Sequence, residues 1–396
     1  MPQPQRDVLY CEGPGNIVSA YSDWKHGRDH LSETSVTFSS QVFDCCQLEH
    51  LSLYGVSYCA NADTIIDGVF TVANLPRWRI NFPKVGYDLT LLLYTLRLLA
   101  LSLRIRPKVI LLSSGVTGWA FASLLKLSGA KIIPVLHNTL WPEGSPPSGL
   151  IAATRRKGLA YFWQRCVWVT LAVSPAARRQ VEDISGKHPR PIHVFHPTFP
   201  AANFASAPAP QSFHDRPFRI MFAGRIDENK GVFDLLTIAQ QLQANGKDAY
   251  RVDICGDGPD LARVNQQIAS RGLRGIVKTH GRLNRTELLV HYLDSHVVIV
   301  PTRTTFAEGY AMVVAEAILL LRPVVTCGVV PAGEMFEGAI VISKADDVHS
   351  YVENIEALSR DETRYLRLVE QARLLRSILL DDSSSFRSVL RSLLAL

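Results

Sequence analysis

The strongest constraint on this chain is an alternation of short β-branched runs with longer helical patterns, and the alternation occurs twice. In the first half "VLYC", "KVILLSS", "KIIPVLHN", "WVTLAVS" and "IHVFHP" read as strands, with helix-like stretches between several of them. In the second half "FRIMFAG", "YRVDICG", "GIVKTHG", "HVVIVPT" and "RPVVTCG" are separated by helical patterns at residues 232–244, 259–270, 285–293 and 310–321. Such alternation predicts parallel sheets covered by helices on both faces. The two halves are split by "PAANFASAPAPQSFHDR", rich in Ala, Pro and Ser and without apolar periodicity, as an interdomain linker is. The expected architecture is α/β, with two doubly wound, Rossmann-like domains facing each other across a cleft. They are expected over residues 1–200 and 217–380, joined by a linker over 201–216 and followed by a C-terminal helix over 381–396 that packs back on the first domain.

Length and composition narrow the function. A chain of 396 residues with 47% hydrophobic content can bury the cores of two domains. A net charge of +6 is modest for this size, which argues against a nucleic-acid partner and leaves room for anionic ligands. The seven cysteines are odd in number and contain no C-x-x-C pair, so they read as reduced thiols and suggest no metal site. "MPQPQRDVLYCEGPG" has no signal-peptide pattern, so a cytoplasmic location is expected. The apolar run "LTLLLYTLRLLALSL" carries Arg97 and stops before Pro107. It falls short of the roughly 20 residues that span a bilayer and is expected to be a buried helix.

In open parallel sheets the ligand lies beyond the carboxyl ends of the strands. After "FRIMFAG" comes "RIDENKG", which puts Arg225 and Lys230 in one loop leading into a helix. Two cations beside a helix N-terminus suit a diphosphate, although a solvated surface carries such pairs too. After "YRVDICG", "DGPD" reads as a tight turn. After "HVVIVPT", Glu308 precedes Gly309, where a helix is expected to begin. Two turns are about 7.2 residues, so Glu316 would fall near the face of Glu308 and Gly309. The N–H groups of Gly309, Tyr310 and Ala311 would then hold phosphate or sugar, with Glu316 beside a ribose diol. A Glu favouring a helix start and an unrelated second Glu is the plainer alternative. In the first half, Gly13 and Gly15 of "CEGPGN" follow the first strand, as either a turn or a phosphate-facing loop. His137 ends "KIIPVLH", again at a strand terminus.

Taken together, "FAGRIDENKG", "CGDGPD", "HGRLNRTEL" and "EGYAMVVAEAILLLRPVV" resemble the retaining glycosyltransferases of the GT-B fold, family 4. The resemblance covers residues 218–342 strongly and the first half more weakly. It implies metal-independent transfer of a sugar from a nucleoside diphosphate sugar to an acceptor sugar or lipid-linked glycan, with no cofactor, in cell-surface polysaccharide or glycolipid synthesis. Arg225 and Lys230 would neutralise the donor diphosphate, with Gly13 and Gly15 facing it. Glu308 would lie near the transferred sugar and Glu316 on the ribose, while Arg282 and Leu283 of "HGRL" would hold the base. His137 would stand close to the reacting sugar. Departures are "HPTF" at residues 196–199, where relatives often read "PNG", and "AILLL" where they read "AMACG". A nucleotide-sugar epimerase of the same fold, or a non-catalytic sugar-nucleotide-binding relative, would carry a similar donor pocket. An NAD-dependent oxidoreductase is disfavoured, since "GPGNIV" lacks the third glycine of its fingerprint.

Residues 151–190 carry Arg155, Arg156, Lys157, Arg165, Arg178, Arg179, Lys187 and Arg190 against Glu182 and Asp183, an excess equal to the chain's whole +6. With Tyr161, Phe162 and Trp163 interleaved, this stretch suggests peripheral contact with an anionic membrane at its inner face. A solvated basic face with core-packed aromatics would read the same way.

Overall fold

The computed structural model describes residues 5–28, 34–78, 80, 86–186, 190–204, 211–246 and 249–395; part of the expected linker, 205–210, and Lys187 of the basic stretch lie outside these. The N-terminal sheet contains β1 (Val8–Pro14), β2 (Leu53–Tyr58), β3 (Asp63–Asp67), β4 (Phe70–Asn74), β5 (Val109–Ser113), β6 (Lys131–Leu136), β7 (Thr170–Ala172) and β8 (Ile192–Val194). Their order is β3-β4-β2-β1-β5-β6-β7-β8, parallel throughout except for the antiparallel β3–β4 pair. The C-terminal sheet contains β9 (Phe218–Ala223), β10 (Tyr250–Cys255), β11 (Val277–Gly281), β12 (Val297–Val300), β13 (Val324–Cys327) and β14 (Ile340–Ser343). It is wholly parallel, in the order β11-β10-β9-β12-β13-β14.

Among the described residues all ten strands expected from sequence are present, and four more join them. Edge strand β3, "DTIID", is half exposed and has no apolar run to announce it. Within β2, Gly55 breaks the β-branched pattern because a Cβ there would lie 2.8 Å from Ile17 Cδ1.

The long apolar run forms the helix Gly86–Ile105, which is not buried all round as expected. Leu91, Tyr94, Leu98 and Ile105 face the core, whereas Leu89, Leu96 and Leu103 are exposed. Polar side chains occupy the buried face because the hydroxyls of Thr90, Thr95 and Ser102 each donate to a carbonyl one turn back, at 2.8 Å. Among the described residues no helix is long and apolar enough to cross a membrane.

The C-terminal helix Phe386–Leu394 packs against the helix Phe38–Leu48 of the N-terminal half. Phe386 meets Phe38 edge-on at 5.0 Å between ring centroids, and Arg391 Nε donates to Glu49 at 2.6 Å. The departure "HPTF" serves this crossing. His196 pairs with Ser385 as an isolated parallel bridge, and Thr198 donates to Gln41 at 2.6 Å. After "AILLL", buried Arg322 donates to the carbonyls of Tyr292 and Leu293 at 2.8 Å and of Leu320 at 3.0 Å. The guanidinium thus joins the C-terminal ends of two helices, where a cation is favoured. All seven cysteines are free thiols, six of them buried.

Candidate active site

The carboxyl ends of β6, β9 and β12 border a cavity of about 360 Å³ between the two sheets. The N-terminal half contributes Phe38, His137, Asn138 and Val173. The C-terminal half contributes Arg225, Lys230, Thr302, Glu308 and the stretch from Tyr310 to Val313. A second cavity of about 540 Å³ shares Ala223, Gly224 and Arg225 with the first and extends over Gly256, Gly258, Arg282, Leu283 and Leu288. Arg225, Lys230, Arg282, Leu283, Glu308, Tyr310, Ala311 and His137 are thereby collected along one continuous surface.

Lys230 ends the short turn Glu228–Lys230, whose N-cap Asp227 accepts from the N–H of Asn229. Gly231 follows at φ +77, and a Cβ there would stand 2.0 Å from the Pro301 carbonyl oxygen, so the end of β12 can approach only a glycine. This packing places Lys230 Nζ 2.5 Å from Glu308 Oε2 and 4.4 Å from the centre of the Phe306 ring. Both charges are largely withdrawn from water and compensate each other. Arg225 is instead solvent-exposed, with Asp227 at 3.8 Å. Its side chain borders both cavities.

The loop after β12 differs from the sequence expectation. The helix begins at Met312, not Gly309, and Ala311 precedes it at φ +57. Glu308 is therefore not on the helix, and the two-turn argument that placed Glu308 and Glu316 on one face does not apply. Gly309 explains the delay: a Cβ on it would lie 1.8 Å from the His137 carbonyl oxygen, so the loop packs closely against the opposite half before the helix can start. Gly309 consequently packs against that backbone and does not line the cavity. The anion-binding potential moves one step along the chain. Among the described residues no acceptor meets the N–H groups of Tyr310, Ala311, Met312 and Val313, which border the cavity.

Glu316 lies on the buried face of the helix Met312–Leu319 and lines neither cavity. The Tyr292 hydroxyl donates to one of its oxygens at 2.5 Å and Thr34 Oγ1 donates to the other. Gly13 and Gly15 also stay outside both cavities. Gly13 turns at φ +102 beside the Ser114 carbonyl, and the N–H of Gly15 reaches Tyr58 O.

His137 sits at the end of β6, its ring 4.2 Å from that of Phe38 between centroids. Burial lowers its pKa to about 4, so the imidazole is neutral near pH 7. Its Nδ1 is buried with no hydrogen-bond partner, which leaves a polar atom ready for a ligand. Three interactions hold the halves together around the site. Thr139 Oγ1 donates to the Glu308 carbonyl at 3.1 Å, Thr34 reaches Glu316, and Arg179 Nη1 meets both oxygens of Glu334 at 2.8 Å. Sequence reading missed Thr34, Thr139 and Tyr292 because isolated hydroxyls carry no spacing signal.

The basic stretch also needs correction. Phe162 and Trp163 are buried in the N-terminal core, so only Tyr161 of that trio faces solvent. Exposed apolar area lies instead at Leu150 and Ile151, at the start of the helix Leu150–Tyr161. Arg155 and Arg156 pair with Asp88 at 2.7 Å and Asp183 at 3.0 Å.

Two parallel-sheet, Rossmann-like halves with a cavity at their facing strand ends define the GT-B architecture. Residues 205–375 match the family model described as Glycosyl transferases group 1. The structure is similar to that of HepE from Anabaena in complex with UDP, at 15% identity and TM-score 0.67, covering 98% of this chain and 100% of that one. It is also similar to α,α-trehalose 6-phosphate synthase from Burkholderia multivorans, at 16% identity and TM-score 0.71, with 98% and 96% covered. Sucrose-phosphate synthase from Thermosynechococcus elongatus aligns at 15% identity and TM-score 0.68, over 99% and 98%. No curated protein sequence matches the chain.

Proposed function

We propose that the chain is a retaining glycosyltransferase that moves a sugar from a nucleoside diphosphate sugar to a sugar or lipid-linked acceptor, with no metal in the transfer step. One observation carries this reading. Arg225, Lys230 and the unpaired N–H groups from Tyr310 to Val313 converge on a cavity at facing strand ends, within the segment matched by the group 1 glycosyltransferase model. A fold relative, HepE, has been crystallised with UDP.

In this reading the C-terminal half holds the donor, its base against Arg282 and Leu283. Lys230 turns from Glu308 to the diphosphate, and the freed carboxylate accepts hydrogen bonds from the sugar hydroxyls. Glu316 exchanges the Thr34 hydroxyl for a ribose hydroxyl. As the bond to the anomeric carbon breaks, charge grows on the departing diphosphate. Arg225, the repositioned Lys230 and the fixed backbone N–H groups meet that charge. The acceptor attacks from the face the diphosphate leaves, which retains configuration. Neutral His137 reaches the sugar from the opposite half, and closure of the halves keeps water out.

A thermal-shift panel of uridine, guanosine and adenosine diphosphates and their sugars tests the donor site. A specific ligand at about 100 times its Kd adds roughly 2.7 kcal/mol of stability. Incubating the best donor without acceptor separates the alternatives: an epimerase alters the donor sugar, whereas a transferase leaves its configuration intact. Binding without turnover on any acceptor panel would leave a sugar-nucleotide-binding protein.

The acceptor, in this proposal, belongs to cell-surface polysaccharide or glycolipid synthesis at the inner membrane face. The helix Leu150–Tyr161 supports it by presenting Leu150 and Ile151 beside Arg155, Arg156 and Lys157. Salt-sensitive co-sedimentation with anionic vesicles, lost on reversing those three charges, is expected. Absence of binding at low salt would favour a soluble acceptor.

A further inference from the structure

Outside the transfer cavity, three metal-ligating side chains meet at the edge of the C-terminal sheet. Asp253 lies on β10, His280 near the end of β11, and His291 in the last turn of the helix Arg285–Asp294. The β10–β11 register runs Asp253 to Lys278 and Ile254 to Thr279, then skips so that Cys255 pairs with Gly281. His280 is the extra residue of this bulge, a feature that re-aims a side chain. Its Nε2 comes within 2.6 Å of Asp253 Oδ1. The His291 ring packs over the His280 ring at 4.0 Å between centroids. One ligand atom from each of the three residues lies within 4.8 Å of the others, and all three side chains are partly reachable from solvent.

We propose that Asp253, His280 and His291 form a binding site for a divalent transition-metal ion of the zinc type, separate from the sugar-transfer cavity. Two imidazoles and one carboxylate are a donor set such ions accept, with a fourth position left to water. Tetrahedral bonds of about 2.0–2.2 Å place ligand atoms roughly 3.3–3.5 Å apart, so modest side-chain rotations within the present cluster complete the geometry. Arg251 stands 3.8 Å from Asp253 Oδ2, on the oxygen that His280 does not use, and the carboxylate can serve both. Lys278 lies nearby and weakens the site without occupying it.

The location gives the ion a structural consequence. His280 is two residues before Arg282, and Leu288 lies one helical turn before His291; Arg282 and Leu288 both border the 540 Å³ cavity. A metal bridging the bulge and the helix would hold these two walls at a set spacing. The proposal does not depend on glycosyl transfer.

The test uses the full chain, stripped with a chelator and titrated with Zn²⁺ alone by calorimetry and thermal unfolding. Saturable binding and a rise in Tm are expected. His291→Gln and Asp253→Asn should each weaken binding at least tenfold and remove the rise in Tm, while Cys59→Ser keeps both. Co²⁺ in place of Zn²⁺ should show no thiolate charge-transfer band. Failure of wild type to bind saturably, wild-type affinity in His291→Gln, or a thiolate band would overturn the assignment. Should Asp253→Asn not fold, His291→Gln decides, because its ring lies partly exposed at a helix end.

Discussion

The two halves of the molecule face the same cavity with different chemistry. The C-terminal half brings an exposed guanidinium, a Lys230–Glu308 pair and unpaired backbone N–H groups. The N-terminal half brings a neutral buried imidazole, Asn138 and the ring of Phe38. In the proposed function a doubly charged diphosphate needs cations and N–H groups at specific strand ends, and such needs leave marks in sequence. A polyhydroxyl acceptor can be met by many combinations of neutral groups, and those leave few.

A pair of buried histidines, one in each half, makes the contrast sharper. Burial lowers both pKa values to about 4. In His296 both ring nitrogens are engaged, with the Arg219 N–H donating to Nδ1 at 3.0 Å and Nε2 at 3.1 Å from the Ser212 carbonyl. In His137 the Nδ1 has no partner. The first is complete as architecture; the second leaves one polar atom unsatisfied, which in the proposed function a ligand would meet.

The contact between the halves is the place to break the comparison hardest. Gly309→Ala puts a methyl group where the His137 carbonyl oxygen lies 1.8 Å away, so the halves must part. A loss of about 100-fold or more in kcat/KM is expected, with both sheets intact by circular dichroism, because misplacement by about 1 Å has that cost.

Acid should expose the histidines next. With folded pKa values near 4 against an ordinary 6.5, the unfolded chain takes up protons first as pH falls. Stability is therefore full above about pH 6.5 and is lost toward pH 4, by on the order of 3 kcal/mol per histidine. Tm followed from pH 7 to 4.5 should fall less steeply in His137→Gln and His296→Gln than in wild type. The two variants should then separate: His137→Gln lowers turnover more than donor affinity, whereas His296→Gln leaves turnover unchanged. Equal turnover in both would return His137 to the architecture.

On the donor side, Lys230→Ala should weaken nucleotide binding by about 1.5–3 kcal/mol in calorimetry, the value of a charge-assisted hydrogen bond. Unchanged affinity would remove Lys230 from the donor site. The smallest effect is expected for Arg179→Ala, which breaks a half-exposed pair with Glu334 between the halves. Stability should change by about 0.2–1 kcal/mol, and less at high salt.

Legibility followed local physics. Most of the ten could be read because they are β-branched runs buried on both faces, as at Val297–Val300, while β3 could not, being a polar edge. Arg225, Lys230, Arg282 and Leu283 could be placed at strand ends because the strand–loop–helix rhythm marks those ends. The start of the helix at Met312 could not be read, since it depends on Gly309 meeting His137 across 172 residues of chain. Nor could the burial of Phe162 and Trp163, or the exposure of one face of Gly86–Ile105, because apolar periodicity does not say which neighbours arrive.

The sequence by itself determined two layered α/β halves, their strand ends and the cations stationed there, because hydrophobic period and loop composition are local properties of the chain. Only the tertiary structure decided that Lys230 pairs with Glu308, that Thr34 covers Glu316, and that a bulge turns His280 onto Asp253. Each of those contacts joins segments distant in sequence, and their partners are selected by packing and by the requirement that buried polar groups be satisfied.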